Sequence, residues 1–498
     1  MSPHRLHVAT ICVLALAGLS TAANAQADAP EIRTEWADVI ATSHTAISIQ
    51  DCPEPPLLRD SPIHDPIYAA LRGLNADYAR LQPWFPYPKL SVAELDPPTP
   101  QRTSWNFTLL DEVTDDFMAA TAGHPVVLDY STLPAWMFRA TKPVEYPKDP
   151  NAIDWSYQQN TGLRDPSMQE VADYQARLLG WYTKGGFADE NGKWHASNHR
   201  YQPAYWEVLN EIDGEPGLSK EDYTKIYDVT VEKLHKISPD LKFIGLALQD
   251  PVNRPQYIAY FLNPKNHRPG IPLDMISYHF YSIGTEHDSP EAAERSIFEQ
   301  ADKFLVAAKY VEAVKRELSP QTKTYVDELG SILPNPSASQ LAQPIPHAYW
   351  NLSGGMWAYT YAHLAEIGVD IVGAAELIDY PGQFAATTLV DWETGKPNAR
   401  YWVVKLLHDN FGPGDKLVAT QSMSDQIYAQ SFVPPGGNRK ILLVNKTHRD
   451  IAVRIPEAFN AHLARVDQST GDAGPSVQDQ PGNLVQLPGF SVAVVTLK

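Results

Sequence analysis

Two short acidic motifs stand out in this chain. Tyr205-Trp206-Glu207-Val208-Leu209-Asn210-Glu211 is a largely apolar run that closes in Asn-Glu. Lys323-Thr324-Tyr325-Val326-Asp327-Glu328 closes in Asp-Glu, with Glu328 standing 117 positions after Glu211. If both runs are strands that end at one mouth, the two glutamates face each other across it. Carboxyls so placed have the equipment for glycosidic-bond cleavage: one protonates the leaving oxygen, and the other attacks the anomeric carbon or activates water. A gap of about 5–5.5 Å would mean retention, through a covalent glycosyl-enzyme. An Asn-Glu pair alone is common and often caps a helix. The strand-end position of both acids is what favours chemistry. Asp327 competes with Glu328, but a period-two strand sends neighbours to opposite faces. Glu207, one strand repeat below Leu209, reads as an inward structural carboxylate.

Other residues qualify by type and place. Arg80 ends an apolar run and is suited to a sugar hydroxyl, a carboxylate, or an ion pair with a catalytic glutamate. Trp84 and Trp136 follow two strand-like runs, where aromatic rings form platforms for the apolar faces of sugars or simply pack in a core. Glu376 and Asp379 stand at a late strand end as substrate contacts. His195 and His199 have i, i+4 spacing, but the intervening Ala-Ser-Asn and nearby Gly192 indicate a loop without a third ligand, so no metal is expected. Ser353-Gly354-Gly355 lacks a strand–turn–helix nucleophile context. No Gly-x-Gly-x-x-Gly follows the first strand-like run, and no cofactor is expected.

The elements that must hold these residues alternate. Strand-like runs occur at 76–81, 125–130, 205–210, 242–246, 274–279, 323–326 and 369–375. Helical patterns lie between them, including 109–121, 168–182, 221–237 with Ser219 as N-cap, 290–318 and 347–367. Strands alternating with helices over residues 75–411 predict an α/β fold, a closed (β/α)₈ barrel with function at the C-terminal strand ends. From 412 to 498 short strands recur between turns, predicting an antiparallel β-sandwich. In the segment 26–74, the run 41–49 alternates Thr and Ile and is expected to add a strand to that sandwich.

Composition narrows the partners. The chain has 498 residues, a net charge of −19 and abundant aromatics, with 12 Trp and 24 Tyr. Such acidity argues against nucleic acid, whose binding depends on clustered Lys and Arg. Residues 1–25 have the order of a cleaved signal peptide: Arg5, an apolar run from Val8 to Leu19, then Ala23-Asn24-Ala25. The expectation is export to the periplasm or beyond, without membrane insertion, because about 12 apolar residues cannot span roughly 30 Å of hydrocarbon. Cys52 would then be the one remaining cysteine, so no internal disulfide is expected.

Trp206-Glu207-Val208-Leu209-Asn210-Glu211 resembles the Trp-Glu-x-x-Asn-Glu signature of the retaining glycosidases of clan A. The segments Trp105-Asn106-Phe107, Ser238-Pro239-Asp240, Asp274 to Tyr281 and Asn398 to Trp402 look most like glycoside hydrolase family 39, the β-xylosidases and α-L-iduronidases. The resemblance spans the barrel and continues into the sandwich. It implies Glu211 as acid/base, Glu328 as nucleophile, Asn210 on the sugar 2-hydroxyl, Tyr281 orienting Glu328, and His279 beside it on strand six. A carbohydrate is the implied substrate. Related barrels often carry a Trp at the end of strand eight, where this chain has Ala374-Ala375-Glu376-Leu377. Trp392 or Trp357 must then supply that surface, or the subsite is built differently. The alternatives are an α-L-arabinofuranosidase or β-glucuronidase-like activity of the same clan, and a non-catalytic carbohydrate-binding barrel.

Overall fold

The computed structural model describes residues 29–498 except 141, 143, 158–161, 285–288 and 336. The expected leader, residues 1–25, lies outside the described residues. Eight parallel strands close a barrel in chain order: Ala46–Asp51, Tyr78–Leu81, Val126–Leu128, Tyr205–Glu207, Lys242–Leu248, Met275–Ile283, Lys323–Ile332 and Ile371–Ala374. The eighth strand pairs back onto the first, with Ile371 opposite Ala46. The helices between them pack their apolar faces outside, as in Lys220–Ile237, where the Ser219 side chain accepts the Asp222 N–H as expected.

Two boundaries differ from expectation. The barrel opens at Ala46 rather than near residue 75, so Tyr78–Leu81 is its second strand. Within 41–49, Ala46 onward is barrel, and the strand given to the sandwich is Ile32–Thr42, paired antiparallel with Lys416–Ser422. The reason is physical. Ser48 and Gln50 alternate with Ile47 and Ile49, the pattern of a half-solvated strand. Here the polar side chains point into the barrel and find partners there. Ser48 Oγ meets Tyr325 Oη at 2.7 Å.

The barrel interior is layered. Ala46, Val127, Tyr205, Ile244, Met275, Tyr325 and Ile371 form an apolar plug. Above it lies an ionic layer centred on Arg80, and above that the mouth. The C-terminal domain sets a seven-stranded sheet, with Ile32–Thr42 at its edge, against the pair Ile451–Arg454 and Leu484–Leu487. Residues such as Ile441, Leu443, Val453 and Val485 fill the space between them. The His347–Ile367 helix joins barrel to sandwich, with Tyr359 edge-on to Tyr428 at a centroid distance of 4.9 Å. No helix among the described residues is long and apolar enough to cross a membrane.

Candidate active site

The fourth and fifth strands end in unusual backbone. Leu209, Glu211, Leu246 and Ala247 all take positive φ, at 64°, 43°, 85° and 39°. Left-handed conformations at non-glycine residues cost energy and persist only where surroundings hold them. Tyr223, buried in the Lys220–Ile237 helix, does so. Its hydroxyl donates to the Val208 carbonyl at 2.9 Å and accepts the Leu246 N–H at 2.6 Å. The result lifts Glu211 into the mouth, where Gln249 Nε2 donates to its Oε2 at 2.7 Å.

A register shift between Val326 and Glu328 marks a bulge on the seventh strand. It overturns the expectation that Asp327 and Glu328 face opposite ways, since both carboxylates serve the barrel interior. The bulged Asp327 carbonyl presses on the eighth strand. A Cβ at Gly373 would lie 2.4 Å from it, so only glycine fits there.

Arg80 is fully buried and holds the layer beneath the mouth. Its Nε donates to Glu207 at 2.6 Å, Nη1 to Glu328 Oε1 at 2.9 Å, and Nη2 to Asp129 and Asn210, each at 2.9 Å. Nη1 also contacts Gln50, and Asp327 lies 3.3 Å from Nη2. With its donors committed inward, Arg80 does not line the cleft. Of the roles expected of it, the ion pair with Glu328 forms and the sugar contact does not: Arg80 orients Glu328 and fixes the Asn210 side-chain carbonyl. The Asn210 amide NH₂ is thereby left to donate into the cleft. Arg80→Met is expected to destabilise the fold by about 3–5 kcal/mol, because it strands several buried carboxylates. Urea denaturation reads this as a lowered midpoint. A change below about 1 kcal/mol, the size of an exposed ion pair, would contradict the role.

His279 lies between the two glutamates. Its Nδ1 is 3.1 Å from Glu211 Oε1 and 3.3 Å from Glu328 Oε2, and Nε2 is 3.2 Å from Asp327. Burial disfavours its charge, but Glu328 and Asp327 outweigh burial and keep it protonated well above the usual imidazole range. Burial likewise pushes Asp327 up, yet His279 and Arg80 hold it below the ordinary carboxylate value. Glu211 is raised, first by burial and further by the Glu328 charge, against the pull of His279. Glu207, inward as expected, is raised by burial to about 7 although Arg80 opposes this. Tyr281 donates its hydroxyl to Glu328 Oε2 at 2.8 Å.

Glu211, His279 and Glu328 offer ligand atoms within 4.8 Å of one another, a spacing a metal ion could also use. The imidazolium N–H between the two carboxylates supplies positive charge to that gap without an ion. His195 and His199 are not brought together as ligands. They pair separately with Asp189 at 2.9 Å and Asp115 at 3.0 Å.

The mouth opens into a cleft of about 480 Å³ that both glutamates line. Asn210, His279, Tyr281, Trp84 and Glu376 line it too. Trp84 donates its indole N–H to Glu215 and stands edge-on to Trp155 at 5.5 Å, with Phe384 tilted against it at the same distance. Trp136, Trp392 and Trp357 are absent from the lining. Trp136 lies under the Arg164 guanidinium at 4.6 Å and donates to the Glu94 carbonyl. Trp357 stacks on Tyr361 inside its helix. Trp392 packs partly buried against the core. Phe384, from the loop after the eighth strand, is the aromatic that faces the cleft instead. Sequence reasoning missed Gln50, Glu54, Glu215, Gln249 and Phe384, which are single residues in loops or polar strand positions without diagnostic spacing.

Residues 426–495 match the family model described as "D-apionate lactonase, C-terminal immunoglobulin-like domain". No curated protein matches the sequence. Among solved structures, the GH51 arabinofuranosidase from Xanthomonas axonopodis pv. citri is similar, with a TM-score of 0.63 at 13% identity over 94% of this chain and 99% of that one. A monomeric β-xylosidase from Caulobacter crescentus CB15 has a TM-score of 0.57 at 15% identity over 94% and 99%. A GH30 endoxylanase from Clostridium papyrosolvens C71 has 0.55 at 12% over 94% and 100%. At such identities the likeness establishes the architecture: a closed eight-stranded parallel barrel carrying a C-terminal antiparallel sheet domain.

Proposed function

We propose that this chain is a retaining glycoside hydrolase of clan A acting on a carbohydrate, exported by its N-terminal leader. The observation that carries the reading is the approach of Glu211 and Glu328, which bring one carboxylate oxygen each to within 4.8 Å of the other across the barrel mouth. Retaining enzymes need carboxyl groups about 5–5.5 Å apart, whereas inverting ones leave about 6.5–9.5 Å for a water. The similar structures named as arabinofuranosidase, xylosidase and endoxylanase support the same chemistry. The Trp206–Glu211 motif supports the clan, and the Trp105–Phe107 and Asp274–Tyr281 segments support family 39 within it.

In the first step Glu211 gives its proton to the leaving oxygen while Glu328 attacks the anomeric carbon. Negative charge thus passes from Glu328 to Glu211, and His279, hydrogen-bonded to one and ion-paired with the other, stays paired throughout. Esterification of Glu328 removes its share of what raises Glu211, so Glu211 stays ionised and can take a proton from the incoming water. Asn210 donates to the 2-hydroxyl, a contact that strengthens as positive charge develops on the sugar.

A second reading comes from the match over 426–495: hydrolysis of a sugar lactone in the same cleft. The matched segment contributes no cleft-lining residue, so the glycosidase reading stands first. A panel of aryl glycosides and aldonolactones, offered to the mature protein, separates them. Turnover of a glycoside is expected. Turnover of a lactone alone would favour the second reading. Saturable sugar binding without any hydrolysis would indicate a non-catalytic barrel.

A further inference from the structure

The glycosidase reading leaves the sugar open, and the wall beside Glu328 bears on it. Loops after the first and eighth strands bring Glu54, Glu376 and Asp379 to the cleft, each at most 4% exposed. Glu376 accepts from Gln50 Nε2 at 2.6 Å and from the Cys52 N–H at 2.8 Å. Glu54 Oε1 accepts from Gln383 Nε2 at 2.7 Å, while its Oε2 meets no N–H or O–H donor among the described residues. The neighbouring Asp379 charge adds to burial in pushing Glu54 up.

Among the described residues no guanidinium or ammonium pairs with this wall. Arg400, behind it, gives its donors to the Ala375 and Thr387 carbonyls. Arg80 is committed to the layer below. Lys303, the one lysine lining the cleft, is exposed on the Pro290–Leu318 helix and pairs with none of these acids.

We propose that the cleft takes an uncharged glycone, a neutral pentose or hexose whose hydroxyls donate to Glu54, Glu376 and Asp379, and turns away uronic acids. The proposal rests on the glycosidase reading above. A hydroxyl both donates and accepts, so it satisfies a wall rich in acceptor oxygens. A carboxylate arriving there loses its water in a buried site where, among the described residues, the one buried cation of the lining, His279, is already engaged by Glu211, Glu328 and Asp327. Burial also raises Glu54 and Glu376, so the wall carries protons as well as lone pairs and is a weak trap for an ammonium sugar.

The test compares 4-nitrophenyl β-D-xyloside, α-L-arabinofuranoside and β-D-glucoside with the β-D-glucuronide and the 2-amino-2-deoxy-β-D-glucoside. The best neutral substrate should exceed the glucuronide in kcat/KM by about a hundredfold or more. Asp379→Asn should narrow that gap. In parallel, Glu328→Gln is heated with xylose, arabinose, glucose or glucuronate, and a neutral sugar should raise Tm more than glucuronate does. A charged glycoside turned over fastest, or glucuronate as the stronger stabiliser, overturns the proposal. So does the absence of any sugar effect in both measurements. Protection by neutral sugars without turnover of any glycoside would instead sink the glycosidase reading and leave the neutral preference standing.

Discussion

Glu328→Ala is expected to lower kcat on a competent aryl glycoside by on the order of 10⁵-fold, since the covalent route disappears with its nucleophile. Sodium azide should restore turnover. Removing the carboxylate opens space beside Tyr281, His279 and Arg80, three donors that contacted it and now face a small anion. Azide there attacks the anomeric carbon from the face Glu328 would have used, while Glu211 still protonates the leaving group. The product is a glycosyl azide of inverted configuration, made in one displacement. Wild-type turnover in this variant, or an azide product of retained configuration, would remove Glu328 from its role.

Glu211→Ala should fail selectively. A substrate with a poor leaving group needs the acid and should slow by about 10²- to 10⁴-fold. A dinitrophenyl glycoside leaves unaided, so its first step survives and the glycosyl-enzyme accumulates as a burst. The pH dependence follows from the raised Glu211. Only its protonated form donates, so wild-type activity falls as pH rises through that elevated value. The variant should lose this alkaline limb on the activated substrate. Equal losses on good and poor leaving groups, with the limb intact, would assign the proton to another group.

The chemistry-bearing residues were more legible than their surroundings. Glu211 and Glu328 are acids at the ends of apolar strands, and that combination survives without knowledge of the packing. Polar residues inside the barrel obscured the count. Ser48 and Gln50 look solvated in sequence, yet both point into the barrel, Ser48 to Tyr325 and Gln50 to Arg80 and Glu376, so the run reads as a sandwich strand. Alternation also misled at Asp327, because a bulge adds one residue and reverses the facing that period two predicts. The aromatic platforms were the least readable. Trp84 and Phe384 face the cleft while Trp136 and Trp392 pack elsewhere, and nothing in residue type or spacing separates the two outcomes. Glu54 and Gln249 reach the cleft through backbone geometry set by distant parts of the chain.

The central claim is double displacement by Glu328 and Glu211, and the anomer released first tests it most directly. Proton NMR of the wild-type protein on its best aryl glycoside, recorded before mutarotation, should show the product sugar with the configuration of the substrate. Release of the opposite anomer would mean a single displacement by water and would contradict the account.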